Sequence, residues 1–554
     1  MKRLLGALLA TALLGALHVA PASGAEGCEP EPPAFGLCEL DISFTDSEGA
    51  PSMQAGSHPF ATTTTINVNL DPESGGPVAQ VEDLEVSLPA GLVGNPTATP
   101  RCTGAEFFLG VEGACPDSSA VGTIAATTQG AGIGEGAVYN LEPGPGTAAR
   151  FGFNAVGLRI VFDFKLNPDP PYNVIVSAPK IPQVGTFLGS VLTVWGNPAD
   201  ERHDAVRGSC LESAAEDLCE FDATPKPFPT LPRSCAGPLE TTFEALSWTG
   251  FSFAETIATA EQTHGCATLA HDFAPEIAAA PTARSAESPT GLGFRLSVKD
   301  EGIDNPAPDA VAASDIKRAE VTMPEGVTIN PSQAEGLAVC SEAELARETA
   351  DSEPGEGCPE AAKIGTVEVE TPLLEEEVLR GSLFVAEPFR NPFGSLLALY
   401  MTVKSPERGI GVRLAGKVEP DPRTGQLITT FGDPTANDPA YRELPQLPFS
   451  EFRLRFREGG RSPLVTPPGC GAYEVEALFT PWADPSQIHT ATSTFQIDSG
   501  PGGGPCPSGP QPFEPDFEAG TLSNQAASHS PFLMRLTRRD GDQDLTRFDA
   551  TLPR

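Results

Sequence analysis

The stretch Leu88-Pro89-Ala90-Gly91-Leu92-Val93-Gly94-Asn95-Pro96, with Cys102-Thr103-Gly104-Ala105-Glu106, Cys115-Pro116 and Val121-Gly122-Thr123 after it, occurs a second time. It returns as Met323-Pro324-Glu325-Gly326, Asn330-Pro331, Cys340-Ser341-Glu342-Ala343-Glu344, Cys358-Pro359 and Ile364-Gly365-Thr366, displaced by 235 residues at the start and 243 at the end. A repeat of that length is a whole folding unit, so the chain is a tandem array. Glu142-Pro143 against Glu387-Pro388, Phe151-Gly152 against Phe393-Gly394 and Trp195-Gly196-Asn197-Pro198 against Phe431-Gly432-Asp433-Pro434 extend the match.

Ala55-Gly56-Ser57-His58-Pro59-Phe60 reads as the opening of a module, because Ala527-Ser528-His529-Ser530-Pro531-Phe532 restates it. The expected division is a signal peptide at 1–24, an N-terminal connector at 25–54, modules at 55–270 and 285–510, and the start of a truncated third module at 525–554. Lys2 and Arg3, the apolar run Leu4 to Leu17 and the small residues Ala20, Ala22 and Gly24 form the leader pattern, so the mature chain is secreted or held at the cell surface. Phe548-Asp549-Ala550-Thr551-Leu552-Pro553 restates Leu84 to Pro89. Either the text is a piece of a longer protein, or its last hairpin caps the second module.

The 554 residues include 56 Gly and 57 Pro, which suits turn-rich β-structure, and a 40% hydrophobic fraction suffices for packed cores. Thr62 to Leu70, Leu84 to Leu88, Leu158 to Leu166, Val174 to Ser177, Leu396 to Val403, Ile410 to Val418, Phe452 to Phe456 and Tyr473 to Phe479 are apolar or alternate apolar with polar residues. Strands of that length and punctuation predict a mainly β fold, with tandem modules of antiparallel β-sandwich (Ig-like) type and two subdomains in each. Cys102-Thr103-x-x-Glu106 and Cys340-Ser341-x-x-Glu344 are capping-box patterns, so a short disulfide-pinned helix is expected in each module.

The twelve cysteines fall into neighbouring pairs: Cys28 with Cys38, Cys102 with Cys115, Cys210 with Cys219, Cys235 with Cys266, Cys340 with Cys358, and Cys470 with Cys506. An even count in an exported chain predicts disulfides, and two pairs recur in both copies, so each is expected to close within its copy. Cys210 and Cys219 lie in an acidic insertion that the second copy lacks. Zinc is disfavoured, since the grouping His264, Cys266 and His271 has no counterpart around Cys506.

With 74 acidic against 35 basic side chains and a net charge of −39, the chain repels phosphate backbones and anionic lipid surfaces. Nucleic acid and direct membrane binding are excluded as partner classes on that ground, leaving an extracellular protein or glycan. No nucleophile, acid–base pair or cofactor-binding motif recurs between the copies, so the chain is expected not to be an enzyme and to carry no cofactor. His203, His264, His271 and His489 have no partner at the equivalent position, and His58 and His529 read as turn residues. Acidic turns do recur, as Asp71 and Glu73, then Asp300, Glu301 and Asp304, then Asp540, Asp542 and Asp544. Calcium could bind there, although solvated turns are the plainer reading. Trp248 and Trp482 hold equivalent places and are expected in the core.

The shared string of L/M-P-x-G, N-P, C-[ST]-x-x-E, C-P and [VI]-G-T resembles the modules of large, secreted, β-rich repeat proteins of high-GC actinobacteria. The resemblance covers nearly all of the mature chain and implies an extracellular β-rich array, with no catalytic or binding site attached. The functional expectation is a secreted or cell-surface structural and adhesive repeat protein. The alternatives are a secreted glycan-binding protein or a hydrolase with an unidentified acidic site.

Overall fold

The computed structural model describes Cys28 and residues 32–552, apart from 111–114, 130–131, 156, 213–217, 331–337, 375–376, 510–511, 540–541 and 544. The signal segment 1–24, Asp540 and Asp544 therefore lie outside the described residues.

The first module contains β1 (Leu37–Thr45), β2 (Ala61–Val68), β3 (Val81–Ser87), β4 (Val93–Gly94), α1 (Gly104–Leu109), β5 (Ala120–Thr128), β6 (Gly132–Leu141) and β7 (Ala149–Ala155). It continues through β8 (Leu158–Leu166), β9 (Val174–Ala178), β10 (Phe187–Trp195), β11 (Pro229–Thr230), β12 (Pro238–Ser247), β13 (Ser252–Gln262) and α2 (Cys266–Asp272). The second contains β14 (Glu276–Pro281), β15 (Pro289–Thr290), β16 (Leu292–Ser297), β17 (Ile316–Thr322), β18 (Thr328–Ile329), α3 (Glu342–Leu345), β19 (Lys363–Glu370) and β20 (Val378–Val385). Then follow β21 (Leu397–Ser405), β22 (Ile410–Pro420), β23 (Leu427–Phe431), β24 (Glu451–Phe456), β25 (Leu464–Val465), β26 (Gly471–Pro481) and β27 (His489–Ile497), and a separate hairpin, β28 (Asp516–Thr521) with β29 (Phe532–Thr537).

Both modules are the same antiparallel sheet of eleven strands. The first runs β1-β2-β10-β5-β6-β7-β8-β9-β3-β12-β13 and the second β14-β16-β24-β19-β20-β21-β22-β23-β17-β26-β27, strand for strand. Each sheet curls until its edges meet, which gives a sandwich-like barrel. In the second, Ser493 on β27 bridges to β14: the Ala279 amide donates to its Oγ at 2.9 Å, and that Oγ donates to the Ala279 carbonyl at 3.3 Å. In the first, Ile257 of β13 packs on the cluster that contains Ile42 and Phe44 of β1. The fold is the expected mainly β, antiparallel sandwich type, with the facing layers of each module drawn from one curled sheet and one such unit per module in place of two subdomains.

The module boundaries need correcting. The segment taken as a connector, 25–54, supplies β1, whose Leu37, Ile42 and Phe44 are buried. Its alternation is broken at Glu39, where φ is 47° and the register slips between Cys38 and Asp41, so the pattern is hard to see in sequence. Likewise β14 precedes the expected start at 285, and β28 precedes 525. Beyond β29, Phe548 to Leu552 form no strand.

Local chemistry explains the helices. Thr103 caps α1 and Ser341 caps α3, each exchanging bonds with Glu106 or Glu344 in a complete capping box. The disulfides are Cys28–Cys38, Cys102–Cys115, Cys210–Cys219, Cys235–Cys266, Cys340–Cys358 and Cys470–Cys506. By loop entropy, a closure such as the 13-residue separation of Cys102 and Cys115 stabilises its module by about 3 kcal/mol.

The acidic insertion folds around two buried basic side chains. Arg207 is fully buried, donating from Nε to the Cys219 carbonyl and from Nη2 to Asp204 Oδ1, both at 2.8 Å. His203 lies between Trp195 and Phe60, with ring centroids at 4.4 and 4.8 Å. Burial, aided by Arg207 and Arg202 against the opposing pull of Asp200, lowers its pKa to about 4. The unfolded imidazole titrates near 6.5, so the unfolded state takes up this proton first as pH falls. The stability contributed by neutral His203 is present above pH ~6.5 and declines by up to ~1.4 kcal/mol per unit down to about 4. Denaturant titrations at pH 7, 6 and 5 should show this loss in the wild type and a flatter dependence in His203→Phe.

Candidate functional site

In a curled sheet, alternate side chains point inward, and here those sets are apolar almost without exception. On β8 they are Leu158, Ile160, Phe162, Phe164 and Leu166; on β24 they are Phe452, Leu454 and Phe456. Their outward neighbours include ion pairs, Arg150 with Asp163 at 2.6 Å and Arg453 with Glu370 at 2.7 Å, while Val161 packs under the layer that holds α1. This division is what a water-soluble barrel requires.

The inward side chains do not fill the space. Eight strands make a barrel that its own side chains can fill, and each added strand widens it. Eleven leave a cavity of about 480 Å³ centred in the second module and one of about 190 Å³ in the first. Half-buried Ile410, Leu414 and Val418 of β22 and Leu397 and Leu399 of β21 border the larger space. Gly416 leaves room for Phe431, whose ring lies 2.6 Å from where a Cβ would stand. Among the described residues, Lys165 is the one charged residue bordering the larger cavity, none borders the smaller, and the polar contribution comes from residues such as Thr429, Thr62 and Ser190. No histidine, cysteine or carboxylate is among these lining residues. The site can exclude water and solvate hydrocarbon.

The modules meet end to end. The connection after β8 reaches β22, where Tyr172 Oη donates to the Arg413 carbonyl at 2.6 Å and Arg413 pairs with Asp169 at 2.5 Å. The Gly146 amide donates to the Glu407 carbonyl at 2.9 Å. Across the seam the opening motif does its work: the Ala312 amide donates to the Gly56 carbonyl at 2.8 Å. A Cβ on Gly56 would stand 2.8 Å from the Ala312 oxygen, and its φ of +72° also favours glycine. His58 is therefore no simple turn residue. Its Nε2 lies 2.9 Å from the Gly302 carbonyl, and its Nδ1 lies 3.1 Å from the Pro229 carbonyl and 3.2 Å from Thr230 Oγ1. In the second module Glu287, whose amide is bonded as that of Gly56 is in the first, accepts from Arg538 at 3.0 Å, so the same place receives the chain that follows.

The acidic turn of the second module belongs to this seam. Buried Arg233 donates from Nη1 to Asp315 Oδ1 at 2.7 Å, its Nη2 stands 3.6 Å from Asp300 Oδ2, and Asp304 accepts from Asn95 at 2.9 Å. Asp300 also accepts from the Ala313 amide at 2.8 Å. Asp71, in the exposed equivalent turn, accepts from the Ser74 and Glu73 amides, which hold its carboxyl below the usual range. Among the described residues no group of three or more His, Cys, Asp or Glu is placed to hold a metal. Trp248 departs from expectation: it is 39% exposed, and its indole donates to the Ile181 carbonyl at 3.0 Å. Trp482 is half-buried, donates to the Leu444 carbonyl at 3.0 Å and carries Lys317 over its ring at 4.4 Å. Trp195 is the buried tryptophan.

Two solved structures illustrate how far similarity extends. The one titled BspA_C_WT is 7% identical, over 82% of this chain and 99% of that one, with a TM-score of 0.17. The type II cohesin dyad from the adaptor ScaA scaffoldin of Acetivibrio cellulolyticus is 10% identical, over 83% of this chain and 99% of that one, with a TM-score of 0.14. No family model and no curated protein matches the chain. At these scores, function rests on the site itself.

Burial pushes the Asp315 carboxyl up in pKa, and the paired Arg233 pulls it the other way. Replacing Arg233 with Met strands that charge and should cost about 3–5 kcal/mol near pH 7. A raised folded pKa means that the stability tied to the proton is present below the ordinary carboxylate range and lost as pH rises. The deficit of Arg233→Met should accordingly shrink towards pH 4, and calorimetry at neutral pH should split one transition into two as the modules uncouple.

Proposed function

We propose that this chain is a secreted or cell-surface repeat protein, non-catalytic, whose modules stack rigidly and hold an apolar ligand inside their barrels. The observation that carries this reading is the cavity of about 480 Å³ with its hydrocarbon lining. Protein interiors are close-packed, and voids larger than a water molecule are few. Apolar side chains that face unfilled space lack partner atoms on that side and forfeit dispersion contacts, which is a cost to the fold. A ligand that fills it offsets that cost, and the volume falls within the ~300–1,000 Å³ range of small-molecule sites.

The structural and adhesive reading is the framework of this proposal. Six local disulfides and the ion-paired seam give a stable series of units of the kind an extracellular stalk needs. Outward Glu240, Glu244, Glu474 and Glu476 keep the barrel exterior in water, the reverse of a membrane-spanning barrel. Among the described residues no helix is long and apolar enough to cross a membrane.

Filling the cavity separates ligand binding from simple damage. Leu414→Phe and Val418→Phe should raise the thermal midpoint of the ligand-free protein by a few degrees while weakening binding of a fluorescent fatty acid at least tenfold. Lower stability together with unchanged binding would reject the site.

A further inference from the structure

The two cavities abut one another. Val93, Gly94, Phe164, Val174 and Phe228 border both of them. Beyond these, Phe151 and Leu166 of the first module line the larger cavity, so that space already extends across the seam. One strand traces the route: along β8, Ile160 and Phe162 face the smaller cavity, Phe164 faces both, and Leu166 faces the larger. The polar contacts between modules, at Arg233 with Asp315, Asn95 with Asp304, and Tyr172 with Arg413, involve none of these five residues.

We infer that the tandem barrels form one apolar conduit, in which a single long hydrocarbon chain lies across the seam with its ends in different modules. This rests on the apolar-ligand reading above and deepens it by naming the ligand class: an unbranched acyl chain, carried by a free fatty acid or by a phospholipid. Length supports the class. The inward face of β8 from Leu158 to Leu166 covers roughly 26 Å at ~3.3 Å per residue. An acyl chain covers about half of the ~30 Å bilayer core, so a long chain anchored in the larger cavity has room to pass into the smaller. The lining suits such a chain because the smaller cavity has no charged residue along it to pair with an ionised head, and its polar lining is limited to hydroxyls such as those of Thr62 and Ser190. The head group is therefore left on the side of the larger cavity, where Lys165 is the one charged residue of the described lining.

The test uses the full chain after delipidation, with saturated fatty acids from C8 to C18 and a di-C16 phospholipid as probes. The wild type should gain roughly three- to fourfold in affinity for each added methylene, continuing beyond the length that one module can hold. Val174→Trp, which places an indole where the cavities join, should collapse the C16-to-C8 affinity ratio. A ratio equal to that of the wild type overturns the conduit but leaves the single-cavity reading intact, whereas no binding of any chain by the wild type overturns both. Should Val174→Trp fail to fold, photolabelling of the wild type decides. Palmitate carrying a diazirine at its terminal carbon should mark peptides around Ile160 and Phe162, and palmitate labelled near its carboxyl should mark those around Phe452 and Leu454. Both labels on one side of the seam would overturn the inference. Saturation by the phospholipid as well as by the free acid identifies a lipid with its head group outside; saturation by the free acid alone confines the conduit to single chains.

Discussion

Eleven antiparallel strands in one ring form a circumference too large for their own side chains to fill, and this constraint governs the rest of the molecule. A smaller ring would have given a dry, ordinary core. Here Phe452, Leu454 and Phe456 reach inward and still meet open space, while their neighbours on the same strand carry the charges that keep the outside wet. A single period-two pattern thus supplies both the solubility and the apolar interior. The disulfides brace such a ring. Each shortens a connection within one module.

The way the rings stack follows from which connections each end presents. The connections after β6 and β8 project from the first module and meet the turn between β21 and β22. In the first module that turn corresponds to the β7–β8 connection, at the opposite end. The contact is therefore head to tail, the arrangement that does not close on itself and can be continued by further copies. Arg233 sits at its centre. An arginine suits this place because its planar fork serves Asp315 and Asp300 together and stays charged when buried.

Much of the fold could be read from the residues. The repeat located both modules, the neighbouring cysteines belong together, and the capping boxes at Thr103 and Ser341 mark helix starts in the structure. Strands with clean alternation, such as Leu158 to Leu166, were legible for the same reason. β1 was not, because the bulge at Glu39 hides its period. The cavity was invisible on different grounds. A Leu facing a void and a Leu facing another Leu have the same sequence signature, and only the number of strands in the ring separates them. Trp248 shows a related limit, since an equivalent position in a repeat guarantees the same role but says nothing about depth. The recurrence of Ala55 to Phe60 was seen, but its purpose lies in the neighbouring module.

Each disulfide closes a separation of 36 residues or fewer, and none passes from one barrel to the next. Across the seam the hold is non-covalent: hydrogen bonds, the Arg233 cluster and the Arg413–Asp169 pair, with apolar side chains of both modules between them. Load carried along the chain would thus cross from one cross-linked frame to the next through non-covalent contacts alone.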